Sequence, residues 1–231
     1  PGVAGCSYVS PNTTATTSIN TAAFHILRNA TMDARTVLNR ISVNEATGSS
    51  ITGRSGLNTA NLGDIASTNI SAQNQSQRIT IRSWDGGNLL GGTVRALTVN
   101  GNARFNSTSV GAVLNMSIGG NLTTNLTTGG GFNWHIGGDL VSSEISLTFA
   151  QTLNSLLSFK VGGTMVNSNL RTVRSIQSAL VGAMNGSGIY AGAPNGQVGL
   201  PPSAANTNDS VRIDRLRIFG RGSGDAFVNS F

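Results

Sequence analysis

A seven-residue pattern recurs along this 231-residue chain at nearly constant spacing, and it restricts the possible folds more than any bulk property does. It reads apolar, polar, apolar, Gly, Gly, polar, apolar, as in Met116-Ser117-Ile118-Gly119-Gly120-Asn121-Leu122, Trp134-His135-Ile136-Gly137-Gly138-Asp139-Leu140 and Phe159-Lys160-Val161-Gly162-Gly163-Thr164-Met165. Leu97-Thr98-Val99-Asn100-Gly101-Asn102-Ala103 is a slightly degenerate copy. The alternating pair at the head of the pattern extends to Phe24/Ile26, Ile41/Val43, Ala60/Leu62 and Ile79/Ile81 before these copies, and to Ser178/Leu180 and Leu216/Ile218 after them. Steps between second members are 17, 19, 19, 18, 19, 18, 25, 19 and 38 residues, a period close to 19. A second apolar point follows eight or nine residues after several anchors, at Ile51, Ile70, Leu126, Ile145, Leu170 and Ile189.

An apolar-polar-apolar triplet describes a strand with one face buried, because strand side chains alternate between faces. Each period then supplies about three short strands joined by turns, which is one coil of a solenoid. Nineteen residues are too few for a strand, a helix and their loops, and the segments between anchors lack helical apolar spacing. The expected fold is all-β: a single-stranded parallel β-helix of about 10 coils of about 19 residues, a rod roughly 50 Å long at ~4.8 Å per coil. Leu97, Val99, Met116, Ile118, Trp134, Ile136, Phe159, Val161, Leu216 and Ile218 are assigned to its core. Gly101, Gly119, Gly120, Gly137, Gly138, Gly162 and Gly163 form a shared corner, where glycine permits positive φ or a sharp bend without a Cβ clash. Asn102, Asn121, Asp139 and Thr164 follow that corner in successive coils. Such residues either hydrogen-bond along the axis or close their own turns, and the second use is the expectation here.

Composition agrees with this reading. Only 5% of the residues are aromatic and 10% charged, against 30 glycines and abundant Ser, Thr and Asn, a mixture unsuited to long helices. No apolar run approaches the ~18 residues of a membrane-spanning helix, so the chain reads as soluble or surface-exposed. Pro1 to Thr17 has neither the basic start nor the apolar run of a secretory signal, which was either never present or has been removed. Val3-Ala4-Gly5-Cys6 has the small residues of a lipoprotein processing site without the apolar segment that should precede it. A single Cys excludes an internal disulfide.

Departures from the period define the organisation. Residues 1–23 are assigned as an N-terminal tail or cap, 24–219 as the β-helix, and 220–231, with Phe227, Val228 and Phe231, as a C-terminal tail or cap. Side loops are placed at 146–158, where the 25-residue step falls, and at 190–210, which is rich in Gly and Pro. Solenoids absorb insertions as side loops, and such loops often carry function. A β-helix leaves unpaired backbone groups at both terminal coils, so each end is capped or used for association, and homo-oligomers or end-to-end stacking are expected.

The formal charge of +6 comes from 14 Arg, one Lys and nine acids. Arg212, Arg215, Arg217 and Arg221, joined by Arg171 and Arg174 from neighbouring coils, are candidate contacts that focus positive potential at one end. Their partner would be an acidic polysaccharide, lipid headgroups or an acidic protein. Nucleic acid is disfavoured, since the chain has few aromatics for base stacking and no zinc-finger spacing, basic helix or ring-stacking strand motif.

Catalytic chemistry is hard to place. His25 and His135 both occupy outward positions between anchors, about six coils apart and without a Cys beside them, so no metal site is assigned. No nucleophile-turn motif accompanies a His base. Glu45 and Asp64 fall close in phase on neighbouring coils, the arrangement an acid/base pair would need, though ordinary turn carboxylates explain them equally. The glycine pairs lack phosphate-loop or dinucleotide spacing, no calcium-loop pattern occurs, and no cofactor is assigned. Ten Asn-x-Ser/Thr sequences modestly exceed chance and matter only where glycosylation machinery exists.

With the repeat established, segments 116–122, 134–140 and 159–165 resemble the degenerate Gly-Gly repeats of secreted bacterial parallel β-helix proteins, including large surface and adhesin-type proteins. The likeness runs from Phe24 to Ile218 and is one of repeat style. It implies right-handed winding and a secreted or cell-surface location; a period near 18 also occurs in left-handed helices, but the strict six-residue rhythm is missing. The function expected is a non-enzymatic structural or adhesive β-solenoid, contacting other surface proteins or copies of itself. The alternative is a β-helical enzyme or binding module acting on acidic polysaccharide, marked by aligned acids and arginines in a groove.

Overall fold

The computed structural model describes residues 2–4, 7–9, 18–148, 154–192, 211–220 and 226–230. Among them every regular element is a strand, every strand pairing is parallel, and the strands stack as a β-solenoid of about nine turns. Two inward columns run along it. The first joins Ala22/Phe24, Ile41/Val43, Ala60/Leu62 and Ile79/Ile81 in register. It continues through Leu97/Val99, Met116/Ile118, Trp134/Ile136, Phe159/Val161, Ala179/Val181 and Leu216/Ile218. The second runs from Leu27 through Ala46, Ile65, Trp84 and Ala103, then Leu122, Leu140, Met165 and Met184, with the exposed Phe227 next in register.

Two anchors sit elsewhere than the alternation indicates. In the first coil the residues in phase are Ala22/Phe24, two positions before Phe24/Ile26, because apolar residues continue at the same parity through 22, 24 and 26. Near the other end they are Ala179/Val181, displaced by one from Ser178/Leu180. There the single Gly182 stands where the coil below has Gly162 and Gly163, and the register shifts between Val161 and Thr164 to absorb the difference. Leu180 consequently faces outward and is half-buried.

Leu97, Val99, Met116, Ile118, Trp134, Ile136, Phe159 and Val161 are all at most 1% exposed. Leu216 is not a core residue: it is 48% exposed, since no described coil lies over it, and Ile218 is half-buried. Large rings fill the corners, with Trp84 stacked on Phe105 at 4.5 Å and Trp134 Nε1 donating to the Val113 carbonyl at 2.7 Å.

Segments assigned as tails contribute to the stack. Gly2–Ala4 and Ser7–Val9 pair with Ile19–Arg28 and Thr31–Ala34, and Phe227–Val228 pairs with Ala179–Asn185. At the 146–158 insertion, Glu144–Leu147 and Asn154–Leu156 are strands and 149–153 lie outside the described residues. Of the 190–210 loop, Gly188–Ala191 is a strand and 193–210 lie outside the described residues. No helix of the described chain is long and apolar enough to cross a membrane.

Candidate functional site

The polar residues of the solenoid fall into three arrangements. The first is axial hydrogen bonding at the glycine corner. Asn102 Oδ1 accepts from the Asn121 N–H at 2.9 Å, Asn121 Oδ1 from the Asp139 N–H at 2.8 Å, and Asp139 Oδ1 from the Thr164 N–H at 2.7 Å. These side chains bridge coils instead of closing their own turns. The adjoining glycines serve this geometry by sterics rather than by positive φ, which Gly101, Gly119, Gly120, Gly137, Gly138, Gly162 and Gly163 do not show. A Cβ on Gly137 would lie 2.5 Å from the Gly119 carbonyl oxygen, and one on Gly162 the same distance from that of Gly137. A Cβ on Gly138 or Gly163 would overlap the ladder oxygen of Asn121 or Asp139.

A second ladder, less visible in the sequence, follows a corner of left-handed residues. Ser142, Asn167, Gly186 and Asn229 have φ of 46, 45, 57 and 44°. The serine after each turns its hydroxyl into the stack: Ser168, Ser187 and Ser230 Oγ accept from the N–H of Ser143, Ser168 and Ser187 at 3.1 to 3.2 Å. Each hydroxyl donates back to the carbonyl two residues earlier. The signal was a small polar residue preceding the second apolar point of each period.

The second arrangement is ion pairing between neighbouring coils: Asp33–Arg54 at 2.6 Å, Asp64–Arg82 at 2.5 Å, Asp85–Arg104 at 2.7 Å and Glu144–Arg171 at 2.7 Å. Glu45 and Asp64 are cross-strand neighbours, as their phase indicates. Hydrogen bonds from Arg82 and then Ser83 hold the Asp64 carboxyl below the usual carboxylate range. A general acid needs the opposite shift, so that it carries a proton near neutral pH. Asp33 and Asp64 in turn raise Arg54 and Arg82. Among the described residues no group of three His, Cys, Asp or Glu gathers to hold a metal.

Of the candidate arginines, Arg171 is buried, whereas Arg174 adjoins the coil of Arg212, whose N–H donates to Ser175 Oγ at 3.1 Å. Arg171 is 4% exposed, paired with Glu144, with its guanidinium 4.4 Å from the Tyr190 ring centre. Arg174 is half-buried beside Ser175–Ile176, whose Ile176 bridges to Ile213. Arg212, Arg215 and Arg217 are exposed on the last described coil; Arg212 pairs with Asp214 at 2.5 Å, which raises it, and Arg217 lies 4.6 Å from the Phe219 ring centre. Arg221 lies outside the described residues.

The third arrangement is a groove of about 320 Å³ on the outward face, lined by Thr98, Asn115, Ser117, Asn133, His135 and Lys160 among others. Ser117, His135 and Lys160 occupy the same outward position on three successive coils. Lys160 drew no attention in the sequence because charge was sought in runs. The alternation that turns His135 outward places Lys160 directly above it. No known family, curated protein or solved structure matches the chain.

Proposed function

We propose that this protein is a non-enzymatic β-solenoid working at the cell surface or outside the cell as a structural or adhesive element, and that its end coil associates with further copies. The observation carrying the non-enzymatic reading is where the reactive side chains go. Asp33, Asp64, Asp85, Asp139 and Glu144 each tie one coil to the next, and none of them is arranged to exchange a proton with a substrate. Support for association comes from the last described coil, where Leu216, Phe219 and Phe227 are 48, 55 and 48% exposed. Among the described residues, Leu216–Ile218 and Phe227–Val228 each have a partner strand on one side only. Gly2–Ala4 and Phe227–Val228 occupy the same strand position at opposite ends, so head-to-tail contact of two copies continues the parallel stacking.

Sedimentation velocity over a concentration series tests this. Larger species are expected as concentration rises, and a Leu216→Lys/Phe227→Lys double variant should remain monomeric. A native chain monomeric throughout rules out association, and turnover of any polysaccharide rules out the non-enzymatic reading.

A further inference from the structure

The outward face of the strand that carries the Ile118 column becomes basic along the rod: before Thr98 its register positions are Ala23, Ser42, Asn61 and Thr80. At other register positions polar groups bind one another: Asn39 donates to Asn20 at 2.8 Å, Asn58 to Asn39 at 2.6 Å, and Asp64 receives Arg82 and Ser83. Beside Thr98 and the coils after it, Asn133 donates to Asn115 at 3.1 Å and Asn115 to the Arg95 carbonyl at 3.2 Å. The outward column reads Thr98, Ser117, His135, Lys160, Leu180 and Arg217, all in register. Asn115, Asn133, Ser158 and Arg215 flank it two positions earlier on their coils. Neither row contains an Asp or Glu. Ser117, His135 and Lys160 side chains hold no hydrogen bond or ion pair among the described residues, whereas five of the described acids are paired with other arginines. Positive charge therefore sits above a groove whose hydroxyl, imidazole and amide groups repeat at the coil spacing of ~4.8 Å.

We infer that this groove binds an acidic polysaccharide lying along the rod axis, with Lys160 and Arg217 taking its anionic groups and Ser117, Asn133 and His135 its hydroxyls. Lys160 and Arg217 lie two coils apart, roughly 10 Å, so they meet successive charges on an extended polymer instead of one compact ion. Exposed hydroxyls and amides at regular spacing suit a sugar backbone, which offers a hydroxyl on nearly every carbon. Base stacking has only the His135 imidazole to use in the groove, since the indole of Trp134 is 1% exposed. The proposal rests on the adhesive half of the function above and requires neither catalysis nor association between copies.

Biolayer interferometry with the whole chain tests it, using polygalacturonate, neutral dextran and a single-stranded oligonucleotide at moderate salt. Polygalacturonate should bind and dextran should not, with affinity falling as salt rises. Lys160→Ala should weaken binding by about tenfold, the scale of one lost charge-assisted hydrogen bond, and Lys160→Ala/Arg217→Ala should weaken it further. Arg104→Ala, which removes the partner of Asp85 elsewhere on the rod, should leave it unchanged. Circular dichroism establishes that each variant keeps its fold. Absence of polygalacturonate binding, equal binding by dextran, preference for the oligonucleotide, or full affinity in a folded double variant overturns the inference. Sedimentation reports on association separately, so either reading can fail while the other stands.

Discussion

A methyl group on Gly137 would sit 2.5 Å from the carbonyl oxygen of Gly119, against backbone that hydrogen bonds hold in place: the Gly137 N–H donates to Ile118 and the Gly138 N–H to Gly120. Gly137→Ala should therefore cost on the order of 1–3 kcal/mol through forced separation of two coils, measured by urea denaturation. Asn discriminates between causes, because it tolerates left-handed backbone but is bulkier than Ala. Close approach predicts that Gly137→Asn is at least as damaging as Gly137→Ala; a milder Asn would mean that backbone conformation is what requires glycine. At Asp64 the consequence concerns pH. Arg82 and Ser83 favour its ionised form in the folded chain, so the unfolded chain binds the proton more readily. That stabilisation is present above the unfolded carboxylate pKa of about 3.9 and is lost as pH falls through the lower, folded value. Melting temperature should fall below roughly pH 4, and Asp64→Asn should flatten that fall; an unchanged acid limb would show that the Asp64–Arg82 pair does not couple to folding.

Strands and corners are where the sequence was most and least legible. Period-two alternation located the buried face of Met116–Ile118, Trp134–Ile136 and Phe159–Val161, because each is one apolar parity followed by a glycine pair. It misplaced Ser178/Leu180 because Ala179, Leu180 and Val181 are apolar at both parities, and only pairing with Phe159 and Val161 selects one. The burial of Arg171 was not legible for a related reason. Spacing reports which coil a residue is on, whereas Glu144 and Tyr190, from the coils on either side, hold Arg171 in place. Corner ladders were visible as positions but not as bonds, since whether Asn121 closes its own turn or reaches the next coil depends on how near the glycines let that coil come. Asn121→Ala removes the acceptor of the Asp139 N–H and should cost about 0.5–1.5 kcal/mol. Hydrogen exchange should quicken most at the Asp139 amide; unaltered exchange there would mean that the side-chain bond does not protect the corner.

For the whole molecule, stability is a sum over neighbouring coils with no single centre, so a side chain's contribution depends on its distance from an end as well as on its burial. Ile136 has Ile118 below and Val161 above, and these stacked residues cannot collapse into the space that Ile136→Ala would leave. Truncation there should cost about 2–5 kcal/mol. Ile218 stacks on Val181 and has no described coil over it. Its half-buried side chain should lose only part of the ~1.5–3 kcal/mol that full burial contributes, about 1 kcal/mol on truncation. The two positions should also differ in kind. Interrupting the stack at Ile136 separates coils that otherwise unfold together, so Ile136→Ala should broaden the urea transition and raise exchange on both sides of the lesion. Ile218→Ala should leave the midpoint almost unmoved and quicken exchange only in Leu216–Ile218 and its neighbour Ala179–Asn185. Equal losses at the two sites, with one sharp transition in each variant, would mean that the rod folds as a single cooperative unit and that nearest-neighbour stacking does not describe its stability.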